Sequence, residues 1–436
     1  MTLTNGLAPT PPMGWNSYDC FGGEVTDAEV RDNADYLAAH LRAVGWEYVV
    51  IDIAWHIVRA DARFDEKGRT TAGRDEQVDA FGRLLPAPDR FPSSAGGAGF
   101  RPLADYVHSL GLKFGIHVMP GVPEPARTPR MPVAGADVTA ADIVYDDRYN
   151  KLATGFLRHI DHDKPGAQAY VDSLLALYAE WGVDFLKLDG IGLPYMPDVV
   201  AAFDAAREKV DREIVLSVSA CHHDYNNYRK HRKRHCEMWR VSEDLWDRWE
   251  HLEMMLYTLP NWQGHAGPGY WPDADMLPLG RIGIRQHPLN SPDRMSRLTR
   301  PEQRAMMSLW CIAQSPLMVG GHLPSNDDWT LSLLNNPEVI AVNQTGRAAR
   351  ELFKDCNQSA SVWRCDLPGE GAWALGLFSF ARNDTRRITV LLDEADLPAR
   401  VHVRDLWAQR DLGVFEKTFA DDIPPHGAGL YAVRAV

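Results

Sequence analysis

Up to about residue 345, short apolar runs that end in polar or aromatic side chains alternate with longer stretches of helical period, and few folds accept that alternation. Strand followed by helix, repeated, lays parallel strands side by side with helices packed outside. The strand-like runs are Tyr48 to Trp55, Leu112 to Met119, Asp184 to Gly190, Glu213 to Ala220, Met238 to Asp244 and Ser315 to Gly321. Thr26 and Glu29 have capping-box spacing ahead of a helix whose apolar face is Val30, Ala34, Leu37, Ala38, Leu41 and Val44, and Gly45 stops it. Thr299 and Glu302 repeat the box before a later helix. These features predict an α/β fold, a (β/α)8 barrel. Strand ends rich in carboxylates then mark its C-terminal rim, where such barrels carry their active sites.

Beyond Asn343 to Gly346 the texture changes to alternating strands, as in Ser361 to Cys365, Trp373 to Phe380, Arg387 to Leu392 and Leu430 to Val433. The expected organisation is a catalytic barrel over residues 1–345 and a C-terminal antiparallel β-sandwich over 346–436. A chain of 436 residues is long enough for both.

A formal net charge of -13 argues against a polyanionic partner, since phosphate binding depends on positive surface. The basic stretch Arg229 to His235 is a short island in an acidic chain and reads as a solvated helix or loop face, so no nucleic acid is expected. His222, His223, His231 and His235 lie near one another without a ligand pattern, so no metal is expected either. No apolar run approaches the length of a bilayer span. The N-terminus lacks a basic segment followed by an apolar one, so a cytoplasmic protein without membrane contact is expected. The six cysteines are scattered, which makes free thiols the default, and only Cys356 and Cys365 are near enough in sequence for a local bridge.

Strand period places Lys187 and Asp189 on one side, facing the lumen. A nearby ammonium favours an ionised carboxylate, the form a nucleophile needs, although a structural ion pair reads the same way. The segment Arg240 to Asp244 brings a cation and two carboxylates to another strand end, and on chemistry alone either Glu243 or Asp244 could serve as a general acid. Trp15 and Tyr18 offer stacking faces. Asp52 near the end of the Tyr48 run, and Asp273 and Asp275 in the Gly/Pro-rich loop from His265 to Met276, are candidates to bind a ligand's hydroxyls or to cap turns.

In this order the segments resemble glycoside hydrolase family 27, the retaining α-galactosidase family. The likeness is carried by Pro11 to Tyr18, Phe91 to Ser93, Pro102 to His108, Lys113 to Ile116, Lys187 to Asp189, Arg240 to Asp244, Ala266 to Gly269, Asp273 to Met276 and Asn336 to Gln344. The resemblance implies a (β/α)8 barrel with a β-sandwich, and a terminal galactose-like sugar of an oligosaccharide or glycoside as substrate. It implies Asp189 as nucleophile, Asp244 rather than Glu243 as acid/base, and Asp52, Lys187, Arg240 and Tyr18 in sugar binding. No cofactor is implied, and homo-oligomerisation is expected by analogy.

Where the family pattern has two adjacent aspartates followed by Cys-Trp, this chain has Asp52, Ile53, Ala54 and Trp55. An apolar Ile53 suits β-L-arabinopyranose, which shares the C1 to C4 stereochemistry of α-D-galactopyranose but has no hydroxymethyl group. A buried hydroxyl facing Ile53 would lose a partner at about 1–3 kcal/mol. Strict strand alternation opposes this by pointing Ile53 out of the lumen. His117 replaces the family tyrosine and stands as a sugar or carboxylate partner, while Ser219 and Ala220 lie where the family's glutamate is expected. An α-galactosidase and a non-catalytic sugar-binding protein are the competing readings.

Overall fold

The computed structural model describes residues 6–58, 76–145, 157–192, 195–220, 228–285, 292–357 and 359–436. Eight short parallel strands form the central sheet: β1 (Met13–Asn16), β2 (Tyr48–Ile51), β3 (Lys113–Val118), β4 (Phe185–Leu188), β5 (Val215–Val218), β6 (Met238–Arg240), β7 (Trp271–Asp273) and β8 (Leu317–Val319). Their order is β8-β1-β2-β3-β4-β5-β6-β7. The seam between β7 and β8 is joined by a parallel bridge from Leu277 to Val319. There the Leu277 N–H donates to the Met318 carbonyl at 2.7 Å.

Around the sheet stand α1 (Asp27–His40), α2 (Arg101–Ser109), α3 (Ala167–Trp181), α4 (Pro197–Arg207), α5 (Arg229–His235), α6 (Trp249–Thr258), α7 (Arg300–Ala313), α8 (Asp328–Leu334) and α9 (Pro337–Thr345). Both expected capping boxes are present, at Thr26 with Glu29 and at Thr299 with Glu302. Gly45, at φ 106°, ends the turn that follows α1. In α5 the expected solvated face holds only in part. Arg232 is buried, with its guanidinium 4.7 Å from the centroid of Tyr195, because a delocalised cation can shed water against an aromatic face. His222 and His223 lie outside the described residues.

Period-two alternation organises the lumen. Tyr48 and Val50 of β2, Phe185 of β4, Val215 of β5, Met238 of β6, Trp271 of β7 and Met318 of β8 form one buried cluster. Two residues further along their strands, the same inward positions are Asp52, Lys187, Ser217, Arg240 and Asp273. The apolar layer therefore closes the barrel floor and the next layer is polar.

The C-terminal domain holds eight antiparallel strands, β9 (Arg347–Asp355), β10 (Ala360–Asp366), β11 (Ala372–Ser379), β12 (Arg386–Leu391), β13 (Arg400–Asp405), β14 (Arg410–Glu416), β15 (Thr418–Ile423) and β16 (Ala428–Ala435). Six form one sheet and the β12–β15 pair forms a second. Ile388, Val390 and Phe419 of the pair share a core with Val362, Leu375, Val401 and Val433 of the larger sheet, which makes two layers. The larger sheet's other face joins the barrel core through Trp363, Phe378 and Leu430. His426 stacks on Trp249 of α6, with ring centroids 3.8 Å apart, and lies 2.7 Å from Glu302 of α7. Cys20, Cys236, Cys311, Cys356 and Cys365 are free thiols. The local bridge between Cys356 and Cys365 is thus not formed.

Gly14 is the tightest point on β1: a Cβ there would lie 2.6 Å from the Tyr48 Cβ and closer still to the Tyr48 carbonyl oxygen. Gly14→Ala is expected to force β1 and β2 apart and cost about 1–3 kcal/mol. Urea unfolding checks this, and an unchanged midpoint would contradict it.

Candidate active site

Asp52 follows β2 and is buried, with its carboxylate at the centre of a hydrogen-bond cluster. Its Oδ2 accepts from Asn16 Nδ2 at 2.8 Å and from Lys187 Nζ at 2.7 Å. Its Oδ1 accepts the Ile53 N–H at 2.8 Å, while its own N–H donates to Ser17 Oγ at 2.9 Å. Burial works against ionising Asp52, but Lys187, His117 and these donors prevail and hold its pKa below the ordinary carboxylate value. Burial likewise opposes the charge on Lys187, and Asp52 and Asp189 overcome it and raise its pKa.

Asp189 comes directly after β4, where its N–H donates to the Val118 carbonyl at 3.0 Å. One carboxylate oxygen accepts the Gly190 N–H at 2.6 Å and the other lies 3.2 Å from His117 Nε2. Burial again opposes the charge. His117, Lys187 and the Gly190 N–H outweigh it and hold the carboxyl well below its usual range. The side chain keeps 33% of its surface open to the rim, so it is an ionised, oriented carboxylate with a free approach.

Asp244 differs from the expected strand end. β6 stops at Arg240, and Asp244 stands four residues beyond it in a loop with its side chain 76% exposed. The strand shortens because the Val241 N–H still pairs with the Asp273 carbonyl, whereas the chain then bends and the following residues find other partners. Arg240, buried in the lumen, lies 3.3 Å from Asp244 Oδ1 and 2.8 Å from Asp275 Oδ2. Burial opposes the Arg240 charge, and Asp275 and Asp244 raise its pKa.

Asp275 follows β7 at φ 91°, a conformation that L side chains rarely adopt, and accepts the N–H groups of Leu245 at 2.6 Å and Met276 at 2.7 Å. Burial, with Asp244 and Asp273 beside it, pushes Asp275 up to about 7 against the pull of Arg240. Tyr18 neighbours Asp52, Lys187 and Asp244, its N–H donating to Asn16 Oδ1 at 2.9 Å and its ring centroid 6.3 Å from that of Trp246.

Two of the nine expected residues stand apart. Asp244 sits at the mouth, joined to the rest through Arg240. Ile53 belongs to an apolar group with Ala54, Ile57, Leu84, Leu157 and Met119, and lines a cavity shared with His117. β2 has ended by then, and Ala54 takes φ 67°, so Ile53 is outside strand alternation.

Sequence reading missed Asn16, Ser17 and Asp247. Asn16 is an inward position on β1, which the alternation of that short strand could have signalled. Asp247 is buried and accepts from Arg294 Nε at 2.9 Å, Arg294 Nη2 at 2.6 Å and the Arg297 N–H at 2.9 Å, partners about fifty residues away that no local pattern announces.

Comparison with known proteins agrees with the geometry. Residues 143–345 match the family model described as "Alpha galactosidase A", and residues 357–433 match "Alpha galactosidase C-terminal beta sandwich domain". The α-galactosidase of Cyamopsis tetragonoloba is 27% identical over 98% of this chain and 87% of its own length. Human α-galactosidase A is 29% identical over 86% of this chain and 76% of its own. The crystal structure of a family 27 β-L-arabinopyranosidase from Geobacillus stearothermophilus with arabinose superposes with a TM-score of 0.92, at 42% identity and 98% coverage of both chains. Carboxylates at the rim of a (β/α)8 barrel, in a chain this similar to known glycosidases over nearly its whole length, make the protein a glycoside hydrolase. The chain belongs to glycoside hydrolase family 27.

Lys187→Met is expected to strand Asp52 as an unpaired buried charge and to cost about 3–5 kcal/mol near neutral pH. Because the folded-state pKa of Asp52 is depressed, its stabilising contribution is complete above about pH 4 and is lost as pH falls through the lower folded value. The stability gap between wild type and variant should therefore narrow in acid, as measured by urea unfolding across pH. A constant gap would contradict this.

Proposed function

We propose that this glycosidase is a retaining exo-enzyme that releases β-L-arabinopyranose. The observation that carries the reading is the 42% identity, over 98% of both chains, to a protein described as a β-L-arabinopyranosidase. Ile53 supports it through the cavity it shares with His117, the partner of Asp189, where an apolar side chain offers nothing to a hydroxymethyl group.

In the mechanism the Asp189 carboxylate attacks the anomeric carbon and the bond to the leaving oxygen breaks. Asp244 gives that oxygen its proton. Asp244 then takes a proton from water, whose oxygen displaces Asp189 and frees the sugar with its anomeric configuration retained. The ionised state of Asp189 suits attack, and the exposure of Asp244 suits exchange of leaving group for water. Asp52 and Lys187 receive ring hydroxyls, Tyr18 stacks on the sugar, and Arg240 with Asp275 holds the acid's loop. The free thiols support a reducing, cytoplasmic setting.

α-Galactosidase activity is the second reading, favoured by the descriptions of the two family models. Assays of nitrophenyl β-L-arabinopyranoside against nitrophenyl α-D-galactopyranoside separate the two, and a preference for the galactoside would overturn the first. Ile53→Asp should move the ratio of kcat/KM about tenfold or more toward the galactoside. Asp189→Asn should lower kcat by about a thousandfold or more on either substrate, and near-wild-type turnover would remove it as nucleophile. Sugar binding by wild type without hydrolysis of either compound would favour the non-catalytic reading.

A further inference from the structure

Asp244 lies at an exposed site, yet the three residues after it are fastened one by one to three different elements. The Leu245 N–H donates to Asp275 Oδ2 beyond β7 at 2.6 Å, and the Trp246 N–H donates to His251 Nδ1 of α6 at 3.0 Å. Asp247 is gripped by Arg294 Nε and Nη2 and by the Arg297 N–H. A loop that only had to present a carboxylate to solvent would not need this fastening. It holds a second group still: the indole of Trp246, half-buried, tilted at 51° to Tyr18 with ring centroids 6.3 Å apart.

We propose that Trp246 forms the leaving-group subsite, an aromatic wall set at an angle to Tyr18 that takes a flat aglycone ring beside Asp244. The inference rests on Asp244 as the acid. A general acid must reach the glycosidic oxygen, so the first ring of the leaving group lies on the acid's own side of the scissile bond. Trp246 is two residues along that loop. Its indole presents an apolar face of the kind on which the C–H face of a pyranose or the ring of a phenol stacks, and Tyr18 presents a second face at an angle. In this geometry Tyr18 borders the sugar being cleaved and Trp246 borders what leaves. Pinning the loop keeps the aglycone platform and the acid in fixed relation, so aglycone binding places the glycosidic oxygen at Asp244.

The test compares three β-L-arabinopyranosides in wild type, Trp246→Ala and Trp246→Tyr: the methyl glycoside, the nitrophenyl glycoside and a disaccharide with a pyranose aglycone. In Trp246→Ala the ratio of kcat/KM for a ring-bearing substrate to that for the methyl glycoside should fall about tenfold, chiefly through KM, and Trp246→Tyr should restore most of it. A fall for only one ring-bearing substrate also supports the subsite and identifies its natural occupant as aryl or sugar. A ratio within about twofold of wild type for both overturns the subsite while leaving the parent reading intact. Wild type inactive on all three, and on the matching α-D-galactosides, overturns the parent reading and the subsite with it.

Discussion

The ion pair between Lys187 and Asp52, 2.7 Å across the lumen from β4 to the end of β2, is the interaction on which the rest of the site depends. Both charges are largely removed from water, and each is the nearest compensation for the other, with His117 and Asp189 adding to it. Such a pair adds little net stability over a well-packed apolar substitute, but it dictates geometry. Asn16 joins from β1, and His117 on β3 connects to Asp189 after β4. Four consecutive strands thus contribute to a single electrostatic unit, and the carboxylate of Asp189 inherits its ionisation from it.

A second unit is built around Arg240 on the opposite wall, where Asp275 and Asp244 share one guanidinium. The two units are graded by exposure. Asp52 and Arg240 are buried, Asp189 is one-third open and Asp244 faces water. In the proposed mechanism these depths suit the roles, since a nucleophile needs a fixed line of approach and an acid/base needs access to solvent. The apolar layer below, from Tyr48 to Met318, keeps water from reaching these charges from the floor of the barrel.

How much of this was legible in the sequence depends on the range of the signal. Capping boxes at Thr26 and Thr299 and the apolar runs of β2 to β6 and β8 are local and appear where expected, whereas α1 ends at His40 and Gly45 closes only the 3-10 turn after it, and β7 lies in a Gly/Pro-rich segment that reads as a loop. Period two in Lys187 and Asp189 correctly put both on the lumen side. Four sandwich strands, β9, β13, β14 and β15, went unread because their outward faces are heavily charged and their inward faces are short. Asp244 read as a strand end because Val241 continues the apolar run, although the bend after it is set by Asp275 and Asp247, whose partners are distant in sequence. Arg232 read as solvated for the same reason: only the fold brings Tyr195 and Trp262 beneath it.

Acid-quenched mass spectrometry during turnover of a slow fluorinated arabinopyranoside tests the central claim most directly. One glycosyl residue should be attached to the protein, carried by the peptide that contains Asp189. Turnover with an unmodified protein, or with the label on another carboxylate, would contradict it.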